Sequence, residues 1–292
     1  MNGSEIMLKI LPSARILPML LLASVLSACD SGNPVANDTA NASSLGISYQ
    51  MREFKRQGGA KCPSATIRIK PEDVLCALVR FSYPEISSDT KPELASKMNE
   101  LIKHQLLDTI DGAPSQTTVP QTIEAFADNF IQDYQNDVNN FSSWEIERKI
   151  KVVYNTNTLL TLLFEEFGFT GGAHPFNGSR FIVLNLATGN PVTLDDLMNP
   201  GYEAALNVEG ERAFREARQL AEHSSLEEDG FTFVNNAFVL NDNYGVNRDG
   251  LSFIFNSYEV APYVMGPTEF TIPYEDISSL IRTDGLLGSK VK

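Results

Sequence analysis

The chain is short of the residues that most often carry chemistry. Its 292 residues include only three histidines, three cysteines and one tryptophan. There is no C-x2-C pair, no H-E-x-x-H, no G-x-S-x-G elbow and no phosphate-cradling glycine loop. The signatures of a zinc hydrolase, a serine hydrolase and a nucleotide-binding enzyme are therefore missing, and neither a metal nor a cofactor is expected. Basic residues are also scarce: 23 Lys and Arg against 37 Asp and Glu give a formal net charge of -14. Such a surface repels nucleic acid and anionic lipid and attracts a basic protein, although the same charge also serves solubility. What is present is globular, with 42% hydrophobic and 21% charged residues, enough for one large or two small cores.

The N-terminus carries an address. Lys9 and Arg15 precede the apolar run Ile16 to Leu26, which is too short to span a bilayer and suits a signal-peptide core. "LSAC", Leu26 to Cys29, resembles the lipobox of bacterial lipoproteins; the alternative is an ordinary secretory signal with a chance cysteine. The resemblance implies a signal peptide over residues 1–28, lipidation of Cys29 and a domain facing the periplasm, held to the membrane by the lipid alone. Asp30 resembles the signal for inner-membrane retention. Residues 29–45, rich in Ser, Asn, Asp and Gly, read as a flexible tether, because they cannot bury enough apolar surface to offset ordering. Cys62 and Cys76 then form an even pair in an exported chain, the pattern of a disulfide.

The rest reads as α+β, an antiparallel sheet covered by helices. Thr66 to Lys70 and Val74 to Pro84 look like paired strands around a Pro71-Glu72-Asp73 turn. A helix follows, capped by Asp89 or Thr90, with Leu94, Met98, Leu101 and Ile102 on one face and His104 on the wetter side. A second helix after Pro120 places Ile123, Phe126, Ala127, Phe130 and Tyr134 on one stripe, which fits a core better than a ligand groove. The period then becomes two. "WEIERKIKVVY" is a half-exposed strand, "LLTLLFEEFGF" a central one, and "RFIVLNL" a third. Gly201 to Glu222 reads as a helix burying Ala204, Leu206, Phe214 and Leu220. "FTFVNNAFVL", "LSFIF" and "FTIPY" are further strands before a short terminal helix, with the loop "NDNYGVNRDG" between the first two.

Two stretches carry a family resemblance. "FSYPEI" with its following helix resembles the DUF4163 domain, and "TGGAHPFNGSRFIVLNLATGNPVTLDDL" with "FIFNSYEVAPYVMGPTEFTIPY" resembles DUF3298. The pair is similar to the extracellular portion of the lysozyme-sensing anti-sigma factor RsiV. The resemblance implies a DUF4163-like domain over residues 46–170 and a DUF3298-like domain over 171–292, packed as one body. Neither a sigma-binding segment nor a recognisable deacetylase domain is present in the sequence. The shared part implies a non-catalytic envelope module that binds a protein or a glycan, with lysozyme binding or inhibition as one version.

The loop Gly171-Gly172-Ala173-His174-Pro175 concentrates that expectation. Glycine permits positive φ or close backbone approach, and Pro175 drives His174 towards an extended conformation. Either this is a demanding turn with a satisfied histidine, or it is a docking surface. By resemblance, a basic wall-degrading protein such as lysozyme would meet Gly171, Gly172, His174, Pro175 and Phe176. A peptidoglycan partner would instead want a groove of exposed aromatics, with Trp144, Tyr258 and Tyr263 as candidates. A wall hydrolase or deacetylase would pair His174 with Glu165, Glu166 or Asp195. However, Glu165 and Glu166 alternate across a strand and cannot act together. Asn247-x-Asp249-Gly250 looks calcium-like, but Asn256 stands where the glutamate should be.

Overall fold

The computed structural model describes residues 46–62, 75–108, 120–137 and 141–287, all within one compact unit spanning residues 40–292. The signal segment, Cys29, Asp30, the tether, the expected strand at Thr66 to Lys70 and its Pro71-Glu72-Asp73 turn lie outside the described residues. A five-stranded sheet runs in the order β1 (Ser48–Lys61), β2 (Leu75–Ser87), β3 (Trp144–Asn155), β4 (Leu159–Phe169), β5 (Phe176–Asn185). All neighbours are antiparallel except β2 and β3. That parallel pair needs a long crossover, and the helices α1 (Pro92–Leu107) and α2 (Ile123–Asn136) lie in it.

The helices cover one face of the sheet. Met98, Ile102 and Leu106 of α1 and Phe126, Phe130 and Tyr134 of α2 meet Val79, Phe81, Ile146 and Ile150 in one buried cluster. Each set follows the period of its element, 3.6 on the helices and 2 on the strands. His104 is exposed, as its neighbours suggested. The start of α1 differs from expectation: neither Asp89 nor Thr90 caps it, Lys91 occupies the N-cap without a side-chain bond, and Pro92 opens the first turn. A proline there removes a donor that would have had no partner, so a side-chain cap matters less.

β4 connects two cores. Leu160 and Leu162 face the helices, whereas Leu159 belongs to a second cluster with Val183 of β5. That cluster is closed by α4 (Glu203–Arg218), which follows the single turn α3 (Leu194–Leu197), and by a second antiparallel sheet. The second sheet is β6 (Tyr244–Val246), β7 (Gly250–Phe255) and β8 (Thr268–Pro273), after which α5 (Tyr274–Ile277) turns away. Phe214 sits at its centre, with the rings of Phe231, Phe233, Phe238, Phe255 and Phe270 between 5.0 and 5.9 Å away. The sheet that runs from β1 to β5 therefore contributes to both cores.

Three further expectations need correction. Phe231 to Leu240 is not a strand: Asn235 and Asn236 take left-handed φ of 57° and 52°, which breaks the extended run and turns its aromatics into the Phe214 cluster. Within the supposed loop before β7 lies the short strand β6. Ala204 is exposed, because α4 begins only at Glu203 and its inward face starts at Leu206.

The cysteine pair is bonded: Cys62 and Cys76 form a disulfide with Cα atoms 4.8 Å apart, joining the end of β1 to β2. With a sequence separation of 14, the chain-entropy model assigns it about 3 kcal/mol. Replacing both cysteines by serine is expected to lower the unfolding free energy by about that amount in urea titrations. An unchanged midpoint and slope would remove the bridge from the stability of the sheet.

Candidate docking surface

The expected loop is the β4–β5 connection, Thr170 to Pro175. Gly171 has φ of 84°, and a Cβ there would lie 3.4 Å from Trp144 Nε1 and 3.3 Å from Ser142 Oγ, so glycine satisfies both the turn and the close approach. Gly172 and His174 are exposed, and Pro175 is half-buried. Phe176 points elsewhere: it packs against the first core, on its cross-strand partner Gly168, where a side chain would collide with its ring. In this structure Phe176 anchors the hairpin, and His174 is what the hairpin presents.

His174 is not an isolated side chain. Its Nδ1 lies 2.8 Å from the Pro175 carbonyl oxygen and donates to it, since a carbonyl oxygen can only accept. Nε2 is hydrogen-bonded to the Tyr258 hydroxyl, 3.2 Å away. The imidazole stacks on the ring of Tyr263 at 4.3 Å and 24°. Tyr258 and Tyr263 are 5.6 Å apart, closing a three-ring cluster. Tyr258 is 64% exposed, which makes the cluster a solvent-facing aromatic surface.

Both tyrosines come from the "YEVAPY" corner after β7, and the corner is held firmly. Tyr258 has φ of 70°, uncommon for a bulky residue and of the kind that persists only where its surroundings fix it. The Glu259 carboxylate accepts from Asn241 Nδ2 at 2.6 Å and from the Asn256 N–H at 2.8 Å. Asn256 and Asn243 reach across to β5: Ser179 N–H donates to Asn256 Oδ1 and Phe181 N–H to Asn243 Oδ1. These amides tie the corner to the strand that begins where the His174 loop ends.

Arg218, at the end of α4, fixes the other side of the corner. Its guanidinium donates to the carbonyls of Met265, Gly266 and Pro267 and to Thr268 Oγ1, at 2.8–3.2 Å. Among the described residues no carboxylate pairs with it, and burial pushes its pKa down. An arginine so used is a clamp on backbone rather than an ion-pair partner. Arg218→Met is expected to release the turn that carries Tyr263. By NMR, the ring protons of His174 should then lose the ring-current displacement that stacking imposes. Unchanged His174 signals would show that the turn holds without the clamp.

The remaining sequence candidates are placed as follows. Trp144 is 8% exposed and packs against Phe130 and Tyr134 in the first core, apart from the three-ring cluster. Glu165 and Glu166 do take opposite faces, the first bonded to Lys151 and the second to Arg148. Asp195 accepts from the Tyr202 hydroxyl. Asn247 Oδ1 accepts the N–H groups of Asp249 and Gly250, so the calcium-like stretch is an Asx turn between β6 and β7. Among the described residues, no three His, Cys, Asp or Glu side chains are grouped to share a metal. The loop drew attention to His174 by its glycines, but its tyrosine partners lie more than 80 residues later and only the fold unites them.

Comparison with known proteins agrees with this architecture. Residues 195–275 match the family model DUF3298, described as a protein of unknown function. Residues 71–177 match the model described as deacetylase PdaC, which now carries the first-half likeness that had suggested DUF4163. A crystal structure of a DUF3298 family member from Bacteroides fragilis aligns with a TM-score of 0.65 at 20% identity, covering 85% of this chain and 99% of that one. A second, from Pseudomonas aeruginosa PAO1, aligns with a TM-score of 0.58 at 19% identity, covering 82% of this chain and 94% of the other. At such identities the likeness shows the α+β fold. No curated protein matches the chain.

Proposed function

From the premise that this chain carries a DUF3298 domain over residues 195–275, we propose that it is a non-catalytic, lipid-anchored cell-envelope protein whose folded part docks a basic protein partner. A wall-degrading enzyme of the lysozyme kind is the partner this reading favours. The observation that supports it is the preassembled surface of His174, Tyr258 and Tyr263. Rigid aromatic rings supply contact area at little entropic cost, and the neighbouring Gly172, Asn177 and Ser257 supply adaptable polar contacts, the composition found in protein-binding loops. The formal charge of -14 supports attraction to a basic surface. In this reading the anchor is the lipobox cysteine, Cys29; no helix among the described residues is long and apolar enough to cross a membrane.

The test is association with c-type lysozyme followed kinetically at several salt concentrations. The association rate should fall as salt rises, because steering between opposite charges is screened. A rate independent of salt would remove charge from the reading. Hydrolytic activity on wall substrates that disappears in His174→Ala would replace it with the enzymatic alternative.

A further inference from the structure

We infer that the three-ring cluster is a receptor for a single cationic group, the guanidinium or ammonium of an arginine or lysine side chain on the partner. The inference deepens the docking reading and rests on it only for the identity of the molecule that brings the cation. Aromatic faces carry negative potential and attract cations held over them. This chain already uses that interaction internally: Arg148 lies over Phe81 and Phe126, Arg180 over Phe164 and Arg218 over Phe231. Among the described residues no arginine or lysine lies over Tyr258 or Tyr263, although His174 and Tyr258 are exposed and Tyr263 is half-buried beside them. Charge of the right sign lies in the same corner. Glu259, next to Tyr258 in sequence, is exposed, and the amide groups of Asn241 and Asn256 fix its carboxylate.

The geometry suits a flat cation. The rings lie within 36° of parallel, with Tyr258 bonded through its hydroxyl to His174 and both beside Tyr263. A guanidinium laid over the exposed Tyr258 face would meet a surface whose orientation is set before binding, which limits the ordering cost. A neutral sugar ring also stacks on tyrosine, but it gains nothing from the carboxylate or from the charge of the chain.

The three histidines make the test direct, since His104 and His223 are exposed and serve as internal references for His174. The full chain, labelled at histidine, is titrated at pH 8 and low salt with N-acetyl-arginine amide, and separately with an N-acetylglucosamine tetramer. The cation should shift the His174 ring signals saturably while His104 and His223 stay still, and added salt should weaken the response. Tyr258→Phe should retain binding, whereas Tyr258→Leu should weaken it by about two- to fivefold, the effect of one exposed cation–π contact. A selective response to the sugar and not to the cation, or no selective response at His174, overturns the inference. Cation binding without lysozyme binding would leave the receptor standing and remove only the partner.

Discussion

Replacing Arg148 by alanine is expected to cost about 3–5 kcal/mol of folding free energy. Arg148 lies on β3 among Trp144, Ile146 and Ile150, on the face that packs under the helices, and is 1% exposed. A charge there survives because a carboxylate, a backbone carbonyl and two aromatic rings surround it. Nε donates to Glu166 at 2.6 Å, directly across the β3–β4 ladder. Nη1 donates to the carbonyl of Leu106, one of the last in α1, which no intrahelical N–H can reach. The guanidinium also lies 4.9 Å from the Phe126 ring centroid, which ties α2 to the same point. Burial pushes its pKa down, and Glu166 opposes that shift. Alanine would leave Glu166 largely buried without its cation, the Leu106 carbonyl unanswered and a cavity between two helices and the sheet. Urea titration of Arg148→Ala should show the loss. The double variant Arg148→Met, Glu166→Leu should recover most of it, because removing both charges also removes the desolvation cost. A loss below about 1 kcal/mol in the single variant would mean that the pair is dispensable.

Replacing Tyr263 by alanine is expected to weaken partner binding at least about a hundredfold while leaving the fold intact. Tyr263 is the ring on which His174 rests, at 4.3 Å, and Tyr258 is 5.6 Å away, so its removal undoes both neighbours. His174→Ala removes one ring and leaves the two tyrosines together, so it should cost about tenfold. The difference between the two variants, read by calorimetry against c-type lysozyme with circular dichroism as a control, separates a cooperating cluster from a single contact residue. Equal effects would contradict the cluster.

Much of the fold was legible because its elements have one wet and one dry face. The stripe Phe126, Ala127, Phe130 and Tyr134 and the alternation from Trp144 to Ile150 both packed as their periods required. β1 escaped notice for the opposite reason. "SYQMREFKRQGGAK" is an edge strand with charges at Arg52, Glu53, Lys55 and Arg56, and its place comes from pairing with β2. Arg148 shares the parity of Trp144, Ile146 and Ile150, so the alternation places it inside, where its charge has to be paired. "FTFVNNAFVL" misled because its apolar spacing resembles a strand while Asn235-Asn236 supplies the left-handed turn that ends one. The site was legible by half: two glycines and a proline marked the His174 loop, but stacking on Tyr263 depends on how β5 meets the corner after β7, a contact no local pattern encodes.

The most direct measurement is binding of the purified protein to c-type lysozyme at low and moderate salt, with Tyr263→Ala alongside. Saturable binding that weakens with salt and is largely lost in the variant is the expected result. Wild-type and variant binding of equal strength, or no binding at either salt, would contradict a docking role for the His174, Tyr258 and Tyr263 surface.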